Sequence, residues 1–331
     1  MPRPLITVGI PTYNRLGTLR RAVGSALAQD CGDVEVLIAD NASSDGTEGY
    51  CRVIAEQEPA VRYIRHPVNH GPTANFNSVL RHARGDYFLF LSDDDWLHPS
   101  YASRCVAWLT AHPDHAMAGG HPRYVREDGA TAKGLPINLP QAKPARRVHA
   151  YLRHVDDGAA IYGVLPRAVA DRLSDIRNVV GNDWLFVAEV AALGRVVALP
   201  DVHLHRSLDG TSANYRRLAE TLELPAVQGL LPFLTVGWAV AADMLWRSPV
   251  HRRELARSER VVLALLCGAT MIRRQLWLWL LSLGRWPLTR LFYRLAKELY
   301  VVLDRRTGGR LPGRFPGHST VVDGSVRSGH D

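Results

Sequence analysis

Ser92-Asp93-Asp94-Asp95 puts three carboxylates into one turn. Carboxylates this close repel one another unless a cation or a ring of hydrogen-bond donors holds them, so the segment is a candidate metal site. A solvated acidic turn is the plain alternative, since surface loops are often acidic. The turn follows Tyr87-Phe88-Leu89-Phe90-Leu91, an apolar run that reads as a fully buried strand. Open α/β sheets bind their ligands at the carboxyl ends of the strands. Three further polar clusters end predicted strands: Pro11-Thr12-Tyr13-Asn14-Arg15, Asp40-Asn41-Ala42-Ser43-Ser44-Asp45-Gly46 and Asn69-His70-Gly71-Pro72. Singly, each has a modest explanation: Ser44 or Asp45 caps a helix, Gly71 makes a turn, Tyr13 packs.

The elements that must position these clusters follow from hydrophobic spacing. Strands are predicted at 5–10, 34–39, 61–65 and 87–91, with helices at 16–29, 46–57, 73–84 and 101–112. Strands alternating with helices of this length specify a mostly parallel sheet covered on both faces. From Gly120 to about Val155 the alternation lapses and four prolines intervene, which reads as a binding loop or a plain insertion. A helix over 182–193 and a strand over 195–199 then resume the pattern.

The chain has 331 residues, 47% hydrophobic and 22% charged, enough for one large α/β domain with an appendage. Its formal charge is +8, yet fourteen Arg or Lys face only four Asp or Glu between His251 and Phe315. The basic character therefore belongs to the C-terminal region. That charge lies in Trp- and Leu-rich helices without a nucleic-acid-binding signature, so nucleic acid is not expected as a partner. Four widely spaced cysteines form no metal pattern and fit a reducing compartment. The N-terminus has no secretory pattern, and a cytoplasmic location is expected.

Residues 229–242 and 261–272 are apolar runs shorter than the ~18 residues of a membrane span, and Arg273-Arg274 ends the second. A full crossing is therefore not expected. Over 288–302, Leu288, Leu291, Phe292, Leu295, Leu299 and Val302 share one helical face, with Arg290, Arg294 and Lys297 on another. This segment reads either as a helix on an anionic membrane surface or as one packed on the main domain. The last residues, 304–331, read as a disordered tail.

Taken together, PTYNR at 11–15, VLIADNASSDGT at 36–47, NHGPTANFN at 69–77, FLFLSDDDWLHP at 88–99 and GNDWLF at 181–186 resemble the family 2 glycosyltransferases of GT-A fold. The resemblance covers about residues 4–215. It implies an α/β fold: a GT-A type nucleotide-binding domain over 1–215 with a mostly parallel central sheet; beyond it the residues themselves read as a basic, amphipathic helical region over 216–303. It also implies a nucleotide-diphosphate-sugar donor along the sheet edge. Pro11, Thr12 and Tyr13 would line the nucleoside pocket with Asn14 and Arg15 beside them, and Asn69 and Gly71 would contribute from the third cluster. Asp40 would accept a base N–H, a demand that favours uracil or thymine.

The usual first aspartate of the family's acidic motif is Ser92 here. The alignment then puts Asp93 near the ribose and Asp94 on a divalent metal, Mg²⁺ or Mn²⁺, with Asp95 as second ligand or orienting neighbour. His205 matches a histidine that contacts metal or diphosphate. Asp183 matches the general base, although an aspartate at a helix start also favours the macrodipole. The implied reaction is inverting transfer to a lipid-linked or polysaccharide acceptor, and the C-terminal helices alone add the expectation of work at the inner face of a membrane. A nucleotidyltransferase would want a basic Gly-rich loop that PTYNRLG does not supply, and a non-catalytic scaffold would not need Asp40, Asp94 and Asp183 together.

Overall fold

The computed structural model describes residues 4–126, 129–207 and 215–283. Its strands are β1 (Ile6–Thr12), β2 (Val34–Asp40), β3 (Val61–Arg65), β4 (Tyr87–Phe90), β5 (Trp96–Leu97), β6 (His115–Val125), β7 (Thr131–Lys133), β8 (Leu165–Pro166) and β9 (Arg195–Ser207). One sheet has the order β3-β2-β1-β4-β8, parallel except for β8; the other has the order β5-β9-β6-β7. The first sheet is spaced by α1 (Leu16–Leu27), α2 (Thr47–Gln57) and α3 (Pro72–His82). All of β1 is buried, as a central parallel strand must be when helices cover both faces. Phe88, Leu89, Phe90 and Leu91 are fully buried, each worth about 1.5–3 kcal/mol, and this anchors the acidic turn that follows.

The chain continues through α4 (Tyr101–Ala111), α5 (Pro144–His154), α6 (Arg167–Ala170) and α7 (Asn182–Leu193). Trp184 through Ala192 are all buried in α7, the pattern of a helix apolar on every side and sunk in the core. Its N-terminal residues, Asn182 and Asp183, are thereby held at a fixed place beside the sheets. The stretch expected to be irregular, 120–155, instead holds the end of β6, all of β7 and α5. The reason is non-local: β6 pairs in parallel with β9 from His115↔Arg195 to Val125↔Ser207, across two register shifts. For the same reason β9 runs thirteen residues rather than five.

Beyond residue 215 come α8 (Tyr215–Thr221), α9 (Ala226–Leu230), α10 (Pro232–Ala242), α11 (Pro249–Glu254) and α12 (Arg257–Leu283). The first compact unit runs to Ile272. Helix α10 packs directly on the start of α7: a Cβ on Gly181 would lie 2.5 Å from Val236 Cγ2. Residues 257–280 of α12, with mean hydropathy 1.4, are long and apolar enough by length and composition to cross a membrane, which the two short runs in the sequence did not foretell. The amphipathic segment 288–302 and the tail 304–331 lie outside the described residues.

Candidate functional site

The loops after β1 and β2 are laced together. Asn14 and Ala42 both take left-handed backbone, φ 53° and 64°, which costs a non-glycine residue of order 1 kcal/mol. Asn14 N–H donates to Ser43 Oγ at 2.9 Å, and Ser44 N–H donates back to Asn14 Oδ1 at 2.7 Å. Asn69 Oδ1 accepts from Asn41 Nδ2 at 2.6 Å and from Gly71 N–H at 2.8 Å, while Asn41 Oδ1 accepts from His70 N–H. Asn14, Asn69 and Gly71 therefore brace the sheet edge. Tyr13 is 44% exposed beside them, and its ring is open to a ligand.

Asp40 is fully buried, and its oxygens are already engaged. Oδ1 accepts from Ser43 N–H at 2.8 Å; Oδ2 accepts from Tyr63 Oη at 2.8 Å and Arg65 Nη1 at 2.5 Å. This differs from the expectation that Asp40 presents its carboxylate to a base. Two of its partners sit on β3, where Asp40 pairs with Arg65, so strand pairing brings them to it. The β1 and β4 ends are tied in the same manner: Thr12 Oγ1 donates to Asp93 Oδ2 at 2.8 Å. Burial pushes the Asp93 carboxyl up to about 7, with Arg15 opposing and Asp94 adding to the rise.

The fit of a metal rests on Asp94. Its Oδ2 accepts from Arg15 Nη1 at 2.7 Å and its Oδ1 from Ser92 Oγ at 2.6 Å, and its side chain is 16% exposed. A hard cation completed by diphosphate oxygens and water needs only one or two carboxylates, so Asp94 fits once Arg15 turns away. The other two expected ligands do not join it. Asp95 is buried, accepting from Ser207 N–H at 3.1 Å and Arg206 Nε at 3.3 Å, and burial pushes its carboxyl up to about 6. The His205 ring stacks on Trp96 at 5.1 Å between centroids, opposite it in the β5–β9 pair. Successive strand residues face opposite ways, so at this end of β9 Arg206, and not His205, turns to the acidic turn. No group of three His, Cys, Asp or Glu side chains able to hold a metal occurs among the described residues.

Arg206 then links the acidic turn to α7. Its side chain is 13% exposed and paired with Asp95, and its guanidinium lies 5.2 Å from the Tyr162 ring centre and 5.7 Å from that of Tyr124. Tyr124 Oη donates to Asp157. Burial alone would lower the Arg206 pKa, but Tyr162, Asp95, Tyr124 and Asp157 together hold it above its ordinary value.

At Asp183 burial is likewise the main influence and pushes the carboxyl up to about 6; Trp184 N–H and the Arg206 charge oppose the rise, and Asp157 adds to it. Asp183 Oδ1 accepts from Trp184 N–H at 2.9 Å at the start of the helix. Its Oδ2 lies so close to Gly158 that a Cβ there would sit 1.9 Å away. One oxygen is thus spent on the helix, and the other faces a glycine that leaves it room. A half-buried carboxylate with a raised pKa can accept a proton near neutral pH.

Residues 7–170 match the family model described as Glycosyl transferase family 2. The chain belongs to glycosyl transferase family 2. An uncharacterized protein of Mycobacterium tuberculosis is 32% identical over 212 residues, 63% of this chain and 57% of that one. The GalNAc(5)-diNAcBac-PP-undecaprenol beta-1,3-glucosyltransferase of Campylobacter jejuni is 34% identical over 95 residues, 28% of this chain and 31% of its own length. Among solved structures, the mannosyltransferase PcManGT from Pyrobaculum calidifontis, in complex with GDP-Man and Mn²⁺, aligns with a TM-score of 0.52 at 20% identity. That alignment covers 88% of this chain and 84% of the other, and it shows the shared GT-A-like α/β fold. This family 2 chain spans little more than half, 57%, of the first curated relatives it matches.

Four residues of this family 2 site escaped sequence reasoning: Arg206, Tyr124, Asp157 and Gly158. None lies in a motif with readable spacing, and 49 residues separate Asp157 from Arg206 along the chain. The family resemblance pointed to the neighbouring His205 and gave no signal for Arg206.

Proposed function

We propose that this chain moves a sugar from a nucleotide-diphosphate-sugar, with UDP or dTDP as the nucleotide, to a hydroxyl of a lipid-linked or polysaccharide acceptor, with inversion. The Tyr13 ring stacks on the base, Thr12 and Asp93 face the ribose, and Arg15 exchanges Asp94 for a donor phosphate. Asp94 holds Mg²⁺ or Mn²⁺. When bound, the ion neutralises charge on the departing diphosphate. Asp183 accepts the proton of the acceptor hydroxyl as that oxygen attacks the anomeric carbon from the face opposite the diphosphate. Its raised pKa keeps it close to neutrality and so well matched to a proton that leaves during attack.

One observation carries this reading: Arg206 pairs with Asp95 of the acidic turn and lies 5.7 Å from the ring centre of Tyr124, whose hydroxyl donates to Asp157, the neighbour of the Gly158 that Asp183 Oδ2 faces. This chain of contacts supports a common space for the acidic turn and the base. The acceptor class is supported by the undecaprenol-linked substrate named for the Campylobacter relative. Work at the inner face of a membrane is supported by exposed apolar side chains. Of the sixteen large ones among the described residues, thirteen lie beyond residue 226, Trp238, Trp246, Leu265 and Leu266 among them.

The test is donor turnover with Mn²⁺ present. Asp94→Ala and Asp183→Asn are each expected to lower it by about 10²–10⁴-fold while the protein stays folded. Unchanged turnover in both variants would refute the assignment.

A further inference from the structure

The second sheet has two unlike faces. Strand residues alternate sides, so Tyr124 and Arg206 lie with the cluster described above while their neighbours Arg123 and His205 point the other way. On that outer face the pairing sets Lys133 opposite Arg123, Arg123 opposite His205, and His205 opposite Trp96. Two residues along, His121 pairs with His203, and the His98 ring meets that of His203 edge to face at 6.2 Å. Arg21 of α1 joins the end of the row: its guanidinium lies 3.7 Å from the Trp96 ring centre, and its Nη2 donates to the Asp94 carbonyl at 2.9 Å. The face thus carries three permanent cations and four histidines.

This charge has little to balance it. Arg123 and Lys133 are exposed, and neither has an ion-pair partner among the described residues. Asp201 is the one carboxylate in β5, β6, β7 and β9, and it pairs with Arg104 of α4. Asp95 and Asp94 act on Arg21, at the end nearest the acidic turn. Burial, and then the charges of Arg123, His203, His98 and Arg21, hold the His205 ring below its ordinary pKa; burial, Arg123, His98 and His121 do the same to His203. Like charges set directly opposite one another weaken a sheet, and an anion laid across them relieves the repulsion.

The layout says what kind of anion. At a strand spacing of about 4.8 Å the row from Lys133 to Trp96 runs about 14 Å, so its cations stand in line and do not converge as a small anion needs. No metal-holding group occurs there either, among the described residues. The Trp96 ring is engaged by both Arg21 and His205, so it is no free platform for a nucleic-acid base. We propose that this face binds an acidic polysaccharide, a glycan with a carboxylate on each sugar, laid across the strands from Lys133 toward Arg21. One step between strands is close to the length of one sugar, and the Arg123 fork suits a carboxylate. The proposal goes beyond the transferase reading: it assigns a binding surface on the side of the sheet opposite Arg206, and it concerns the charge of the polymer rather than the atom that reacts.

Calorimetric titration of the full chain with decagalacturonate, without donor, tests it. Saturable binding is expected at about 50 mM salt and about pH 5.5, weakened about tenfold or more in the double variant Arg123→Gln, Lys133→Gln, with donor hydrolysis and melting temperature unchanged. Affinity should fall about threefold or more between about pH 5.5 and 8, as the histidines lose their protons while the uronates stay charged. Absence of binding, equal affinity for neutral maltodecaose, or an affinity indifferent to pH would each overturn the site. Equal weakening in Arg252→Gln, Arg253→Gln, which takes the same charge from α11, would overturn it in favour of general attraction to a basic chain. A ten-nucleotide thymidine strand bound as tightly would overturn the glycan assignment. Donor hydrolysis needs no polymer, so it reads the transferase assignment separately.

Discussion

Along the edge formed by β1, β2 and β4, Thr12, Asn14, Arg15, Asp40 and Asp93 each reach across to a neighbouring strand or loop. Beside α7, one largely covered guanidinium, that of Arg206, pairs with Asp95 and lies against Tyr162 and against Tyr124, which is bonded in turn to Asp157. The first region spreads its order over many small bonds, and the second concentrates it in one charge. Loss of a single bond from a redundant lattice costs about 1 kcal/mol. Removing one partner from a buried ion cluster leaves the remainder uncompensated, at about 3–5 kcal/mol.

The largest expected effect follows. Arg206→Met should destabilise the protein by about 3–5 kcal/mol in urea unfolding, because it strands Asp95 in the interior. Thr12→Val, which removes a hydrogen bond from the edge lattice, should cost about 1 kcal/mol by the same measurement. A cost under about 2 kcal/mol for Arg206→Met would erase the contrast between the two regions.

Second in size is the room that Gly158 leaves. A methyl group there would meet Asp183 Oδ2 at 1.9 Å, and the carboxylate, as the free end of a side chain, would swing away. Gly158→Ala should therefore lower turnover about 10–100-fold, equivalent to about 1.4–2.7 kcal/mol in the barrier, with little change in stability. Activity close to that of the parent would mean that Oδ2 is not the oxygen that acts.

The same contrast decides what the sequence made legible. The edge residues come in short motifs directly after apolar strands, so strand order and the carboxyl-end rule put PTYNR, Asp40 and Ser92-Asp93-Asp94-Asp95 together before any coordinates. Their hydrogen bonds were not legible, because β3 had to pair with β2 before Tyr63 and Arg65 could occupy Asp40. The α7 side was opaque. Tyr124 and Arg206 are set opposite one another by the β6–β9 pairing, Gly158 lies in neither strand, and a one-residue step along β9 exchanges His205 for Arg206. The region was expected to be helical, but the unbroken length of α12 was not legible, because Arg273 and Arg274 break its hydrophobic run without breaking the helix.

Third comes pH. Asp183 titrates near 6 in the folded protein and near 3.9 when unfolded, so between those values the native state binds the extra proton. Stability therefore falls as pH rises from about 4 to 6, and at pH 7 the charged carboxylate weighs against folding. Turnover runs the opposite way, since the base must be ionised: it should rise through about pH 6 to a plateau. Asp183→Asn should flatten the first dependence and raise stability at pH 7.5 by about 1 kcal/mol while turnover collapses. A variant that loses stability at that pH would mark Asp183 as a structural cap.

The smallest effect is expected at Arg15, where the two regions are most alike in chemistry and most different in exposure. Its side chain is 36% exposed, so its pair with Asp94 is worth about 0–1 kcal/mol, and Arg15→Ala should barely move the urea midpoint. The local electrostatics should respond more clearly. Arg15 opposes the burial that raises the Asp93 carboxyl, so its loss should move that titration higher still. Carbon-detected NMR of the aspartate side chains would follow this, with Asp95 as the internal control because its opposing cation is Arg206. Equal displacement of Asp93 and Asp95 would mean that one field governs the whole acidic turn, and that the edge lattice and the Arg206 cluster are a single electrostatic unit.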